Sequence, residues 1–137
     1  MAEVRKAMFG FTKLIVDDVE KMASFYTEVY GLNALQRVQA QIGAEPIDEI
    51  IMGPGQQMSA ESLVMLKYLN RPAPPRGEVI LGFITADVAA LVKRVRAAGG
   101  RVLEEPRDMP EHGVRVTFVT DPEGHLAEVV QMLGGAR

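Results

Sequence analysis

The sequence predicts an α+β domain built from two βαβββ modules that form curved mixed sheets around a cleft. Three observations carry this. A segment plan (short apolar run, aspartate, helical stretch, glycine stop) occurs twice, with Asp18 and Asp87 marking copies 69 positions apart. Alternating apolar segments follow each helical stretch. Turn residues separate those segments. Self-similarity of this kind is the trace of a duplicated supersecondary unit. Two facing units would enclose a cavity, so function is expected between them.

Phe9 to Val16 reads as the first strand, its residues alternating between two faces. Asp17 or Asp18 can cap the helix that follows, and Asp17 with Glu20 has capping-box spacing. Val19, Met22, Phe25, Tyr26 and Val29 fall on one face of that helix, and Gly31 stops it. Residues 35–42 and 47–52 are strand candidates around a turn near Gly43–Pro46. Gly53-Pro54-Gly55 is a loop signal, and Leu63 to Leu69 is the fourth strand. Residues 70–77, with Pro72, Pro74 and Pro75, read as a stiff linker.

The second copy repeats the order. Val79–Thr85 is a strand and Asp87 a cap, and Val88, Leu91, Val92, Val95 and Ala98 form an apolar helical face. Val102–Glu105 and Val114–Thr120 are strands. Asp121-Pro122-Glu123-Gly124 is a tight turn, with proline second and glycine fourth, and Leu126–Met132 closes the set. The whole chain, residues 1–137, is expected to be one domain: a first module at about 7–69, the linker 70–77, and a second module at about 78–133. Neither module alone would bury a sufficient core.

Composition narrows the function classes. Apolar residues make up 47% and charged residues 24%, as in ordinary globular proteins. A net charge of −3 argues against nucleic-acid and membrane-surface partners. No apolar run reaches the roughly 20 residues that span a bilayer, and no secretory h-region opens the chain, so the expected compartment is the cytoplasm. The absence of cysteine excludes disulfides, thiolate metal sites and thiol nucleophiles. No phosphate loop, nucleophile elbow or Walker pattern is present.

The chain resembles the vicinal oxygen chelate superfamily, which includes glyoxalase I, extradiol dioxygenases, fosfomycin-resistance proteins and bleomycin-binding proteins. Val16-Asp17-Asp18, Phe25-Tyr26, Val29-Tyr30-Gly31-Leu32, Gly99-Gly100, and Asp121-Pro122-Glu123-Gly124-His125 leading to Glu128 carry the resemblance. It implies a glyoxalase-like fold, and in the metal enzymes a divalent ion held by His or Gln, Glu, His and Glu on the first and last strands of each module. Those positions fall on Phe11, near Met65, near Ile80 and on Glu128. Glu128 alone offers a hard donor, and a catalytic metal site needs about three protein ligands. No metal or cofactor is therefore expected.

Strand residues two apart share a face, so Lys13 is expected beside Phe11, and Lys67 beside Met65. The expected cleft is apolar, with Lys13, Lys67 and Glu128 inside and one of the lysines coupled to Glu128. Either lysine also reads as snorkelling to the cleft mouth. Asp48 and Glu49 adjoin in a strand, so one of them can face inward, and each also reads as a surface residue. His112 lies in a loop near the expected cleft mouth, His125 follows the turn glycine as a loop residue, and the scattered arginines read as solvated.

Two functions are expected from this pattern. The first is a metal-free protein binding a small, partly apolar molecule that can carry an anionic group. It is similar to the bleomycin-binding branch in lacking the chelate. The alternative is a metal-independent lyase or isomerase with Glu128 as acid/base, with a metal-dependent glyoxalase or dioxygenase-like enzyme behind it. The small-molecule ligand and a homodimer are the expected partners, because two open sheets leave edges to cover.

Overall fold

The computed structural model describes residues 5–134. Its strands are β1 (Thr12–Ile15), β2 (Asn33–Ile42), β3 (Glu45–Gly53), β4 (Leu63–Tyr68), β5 (Ile80–Ile84), β6 (Arg101–Met109), β7 (Val114–Thr120) and β8 (Leu126–Met132). Helix α1 spans Val19–Tyr30 and helix α2 spans Val88–Ala97. The chain order is βαβββ twice. The first sheet runs β1-β4-β3-β2 and the second β5-β8-β7-β6. In each, the first strand lies parallel to the last and the other pairs are antiparallel. The same strand order in both sheets is the structural form of the sequence repeat.

The chain divides into two compact units. One holds the residues up to Ala23 together with Leu32–Ala73; the other holds Ser24–Gly31 and the residues from Pro74 onward. The sequence places all of α1 in the first module, whereas its C-terminal half belongs to the second unit. The side chains explain this. Tyr30 stacks on Phe83 with ring centroids 3.8 Å apart, Tyr26 donates a hydrogen bond to Asp121, and Arg94 donates to the Val29 carbonyl.

Asp18, rather than Asp17, caps α1: its Oδ1 accepts from Lys21 N at 2.9 Å. Asp17 instead accepts from Ala73 N at 2.7 Å, fastening the chain after β4 back to the start of the helix. Asp87 caps α2 as expected, accepting from Ala90 N. The buried stripe of α2 is Val88, Leu91, Val92 and Val95, at helical spacing.

Strand β6 runs four residues beyond its expected end. Pro106 lacks an N–H and hid the strand character, but β6 is an edge strand with register shifts on either side of Glu104, where proline is tolerated. Gly31 and Gly99, which end the helices, have φ of +78° and +95°, a left-handed conformation that glycine adopts without strain. Among the described residues, no helix is long and apolar enough to cross a membrane.

Candidate functional site

In the second unit, Ile80 pairs with Leu126, Gly82 with Glu128 and Ile84 with Val130. Across β7, Phe118 pairs with Glu128 and Val116 with Val130. Laterally paired residues share a face, so these side chains form one surface. The opposite face faces the helices, because Gln131 accepts from Val88 N at the start of α2 and Phe83 stacks on Tyr30. Glu128 therefore stands on the face the helices leave uncovered. It is half-buried there among half-buried Leu126, Val130 and Phe118. Ile80 and Ile84 on the same face are 58% and 78% exposed. Among the described residues Glu128 has no ion-pair partner.

In the first unit, Lys13 pairs with Val64 and Ile15 with Leu66, while Ile51 pairs with Val64 and Glu49 with Leu66. These residues share the corresponding face. Lys13 Nζ lies 3.0 Å from Glu49 Oε1 and 5.7 Å from the centroid of the Phe11 ring. Superimposing the two registers sets Phe11 against Ile80, Lys13 against Gly82, and Val64 against Glu128.

This corrects two expected site residues. Met65 pairs with Leu14 and Ile50, and Lys67 with Asp48, on the other face of the sheet. Arg37 marks that face as the one toward α1. It grips Asp48 through two nitrogens at 3.0 and 2.6 Å and reaches Glu20 of the helix at 2.9 Å. Met65, fully buried, is a core residue there. The cause is strand parity: a one-residue offset in register sends every side chain to the opposite face. The carboxylate coupled to Lys13 is Glu49, which sequence reasoning did not select. Asp48 and Glu49 do divide between the two faces, but the register was needed to say which faces where.

His125 is not a loop residue in solvent. It is buried, with Nδ1 2.8 Å from Asp121 Oδ2. Tyr26 from α1 donates to the same oxygen at 2.8 Å. Asp121 Oδ1 accepts from the backbone N–H groups of Glu123 and His125, which closes the turn into β8. Burial pushes the Asp121 carboxyl up, but the hydrogen bonds from His125 and Tyr26 outweigh it, and the pKa lies below the usual aspartate value. Burial, reinforced by the Asp121 charge, raises the Tyr26 phenol well above its ordinary value.

His112 ends a 3-10 turn, Pro110–His112, and is exposed. The arginines are not all simply solvated. Arg76 bonds Glu123 at 3.0 Å, and Arg94 holds the Val29 carbonyl.

Two four-stranded mixed sheets in βαβββ order, each first strand parallel to its last, define a glyoxalase-like protein. The chain belongs to the Glyoxalase/Bleomycin resistance protein/Dioxygenase superfamily, which it matches over residues 8–129. A lactoylglutathione lyase from Arabidopsis thaliana is 33% identical over 119 residues, covering 85% of this chain and 41% of that protein. A probable lactoylglutathione lyase from Vibrio cholerae is 28% identical over 123 residues, covering 88% of this chain and 87% of its own. The chain thus spans about two fifths of the length of the plant relatives it matches. A glyoxalase family protein from Bacillus cereus shares the fold with a TM-score of 0.81 at 18% identity, over 98% of this chain and 99% of that one. The fosfomycin resistance protein FosX of Listeria monocytogenes does so with a TM-score of 0.67 at 15% identity, over 93% and 94%.

The superfamily's divalent metal does not fit the donors present. At the corresponding positions the first unit offers Phe11 and Val64, with no lone pair to give, and the second offers Ile80 and Glu128. Among the described residues, no three His, Cys, Asp or Glu side chains are grouped to hold a metal ion. A catalytic site needs about three protein ligands.

Proposed function

We propose that this chain binds a small, partly apolar molecule without a metal, on the uncovered sheet face that carries Glu128. The supporting observation is the donor set: Phe11, Val64 and Ile80 stand where a chelating member needs donors. Apolar walls with one polar group fit recognition of a small organic molecule better than chelation. The second sheet supplies Leu126, Val130, Phe118 and Ile80 around the Glu128 carboxylate.

A metal-independent lyase or isomerase is the second reading. Glu128 favours it, being half-buried on an apolar face with no cation beside it among the described residues. A carboxylate so placed can accept a proton from carbon or oxygen. The relatives named lactoylglutathione lyase give that class its weight. The metal-dependent version of their reaction lacks its ligands here.

The chain is also proposed to form a homodimer, because β5 is an edge strand whose last residue, Ile84, is left exposed for a second copy to cover.

A thermal-shift screen of metabolites, run with and without EDTA, tests the main reading. Stabilisation that persists in EDTA and weakens in Glu128→Gln is the expected result. Hits that all vanish with EDTA contradict it. A turnover assay on the hits then separates binder from enzyme.

A further inference from the structure

The face of the first sheet turned away from α1 carries a second polar arrangement, beside Phe11. We propose that Phe11, Lys13 and Glu49 form a recognition corner for a neutral carbonyl oxygen on a flat apolar ligand, with Glu49 setting that preference by cancelling the Lys13 charge. This rests on the small-molecule reading above and names the ligand group read by the first unit.

The corner is asymmetric in burial. The Glu49 side chain is 8% exposed and that of Lys13 35%, with Nζ 3.0 Å from Oε1. A carboxylate this deep needs a cation beside it. An ammonium has three N–H donors. Among the described residues, that of Lys13 donates to Glu49 alone, so two donors remain for a ligand. The Phe11 ring, 44% exposed, lies within reach of the same ammonium. Half-buried Ile15 and Ile51 and buried Val64 and Leu66 make the surroundings apolar. In the second unit, Gly82 and Val116 occupy the places of Lys13 and Glu49. The repeat therefore does not require an ion pair here.

Charge decides what this corner accepts. An incoming carboxylate meets the Lys13 ammonium and, one hydrogen-bond length behind it, the Glu49 charge. The attraction and repulsion largely cancel. A carbonyl oxygen takes the same N–H donors without the repulsion, and its flat apolar substituent can lie on Phe11. Glu49 thus acts as a selectivity residue, turning an anion site into a carbonyl site.

The probes are acetophenone, benzoate and ethylbenzene, titrated at pH 7 and fixed ionic strength while backbone amide shifts are followed by NMR. Wild type is expected to bind acetophenone more tightly than benzoate, with the largest shifts in residues 11–15. In Glu49→Gln the Lys13 charge is uncancelled, and the acetophenone-to-benzoate preference is expected to move about tenfold toward benzoate. A wild-type preference for benzoate, or an unchanged preference in Glu49→Gln, overturns the proposal. Should Glu49→Gln fail to fold, the charge-free Lys13→Met/Glu49→Gln protein is expected to lose the advantage of acetophenone over ethylbenzene, and retention of that advantage overturns it equally. If acetophenone does not bind wild type while EDTA-resistant metabolite hits exist, this proposal fails and the broader reading stands.

Discussion

Val64 occupies in the first sheet the place that Glu128 occupies in the second. Val64 sits between Lys13 and Ile51, and Glu128 between Gly82 and Phe118, in the same register. One member of this pair is fully buried and apolar. The other is a half-buried carboxylate. The repeat has kept its geometry and lost its chemical symmetry, so the first unit offers no carboxylate at this position.

Phe11→His follows from this. The substitution adds one imidazole, while the last-strand position that matches Glu128 is Val64, so the first unit gains a single imidazole donor. No tight zinc or nickel site should form, since about three protein ligands are required. Calorimetry showing submicromolar affinity in this single variant would mean that further donors lie close by.

Tyr26→Phe removes a buried hydrogen bond to the ionised Asp121. The expected loss of stability is about 1.5–3 kcal/mol, the range for bonds to charged groups, read from urea unfolding. The pH dependence has two limbs. Asp121 has a lowered folded pKa, so its contribution is present above the ordinary value of 3.8 and is lost as pH falls through the folded value below it. Tyr26 has a raised folded pKa, so its contribution is present below the ordinary value of 10.0 and is lost as pH rises beyond that. Wild type should weaken at both extremes, and Tyr26→Phe should lose less than wild type on the alkaline side.

Much of this fold is legible in the sequence because it is written twice. The Asp87 cap, the glycine stops and the apolar helix stripes each have a local cause. The strands of the second half fall near their expected places, except β6, where Pro106 masks an edge strand that a bulge accommodates. The site is less legible. Glu128 follows a turn with fixed geometry, so its face could be read from spacing. The fourth strand is four apolar residues, Leu63 to Leu66, with no turn at its start to fix parity. A one-residue uncertainty there exchanged Val64 for Met65 and sent Lys67 to the wrong face. Glu49 was missed for a related reason, since its importance comes from Lys13, 36 residues away in sequence. His125 reads as a loop residue in the sequence because its partner Asp121 is tied to Tyr26 of α1, 95 residues away.

Gly100→Ala should be costly although the change is one methyl group. A Cβ at Gly100 would lie 2.4 Å from the Thr120 carbonyl oxygen, 2.8 Å from a Val95 methyl carbon and 2.9 Å from the Phe25 ring. The oxygen is backbone in a paired strand and cannot swing aside. Overpacking of this kind costs about 1–3 kcal/mol, measurable as a lower midpoint in urea with little change in slope.

Ile84→Glu tests the proposed dimer. Ile84 is 78% exposed on the uncovered face, so a carboxylate costs little in the folded chain itself. Light scattering at micromolar concentration should show a dimer for wild type and a monomer for the variant. A monomeric wild type would contradict the dimer.

The central claim, recognition without a metal, is tested most directly by elemental analysis of protein purified without chelators and dialysed against mixed zinc, nickel and manganese. With Phe11, Val64 and Ile80 at the chelate positions, divalent metal should stay far below one ion per chain. One tightly held ion per chain, lost together with ligand binding on treatment with EDTA, would contradict the account.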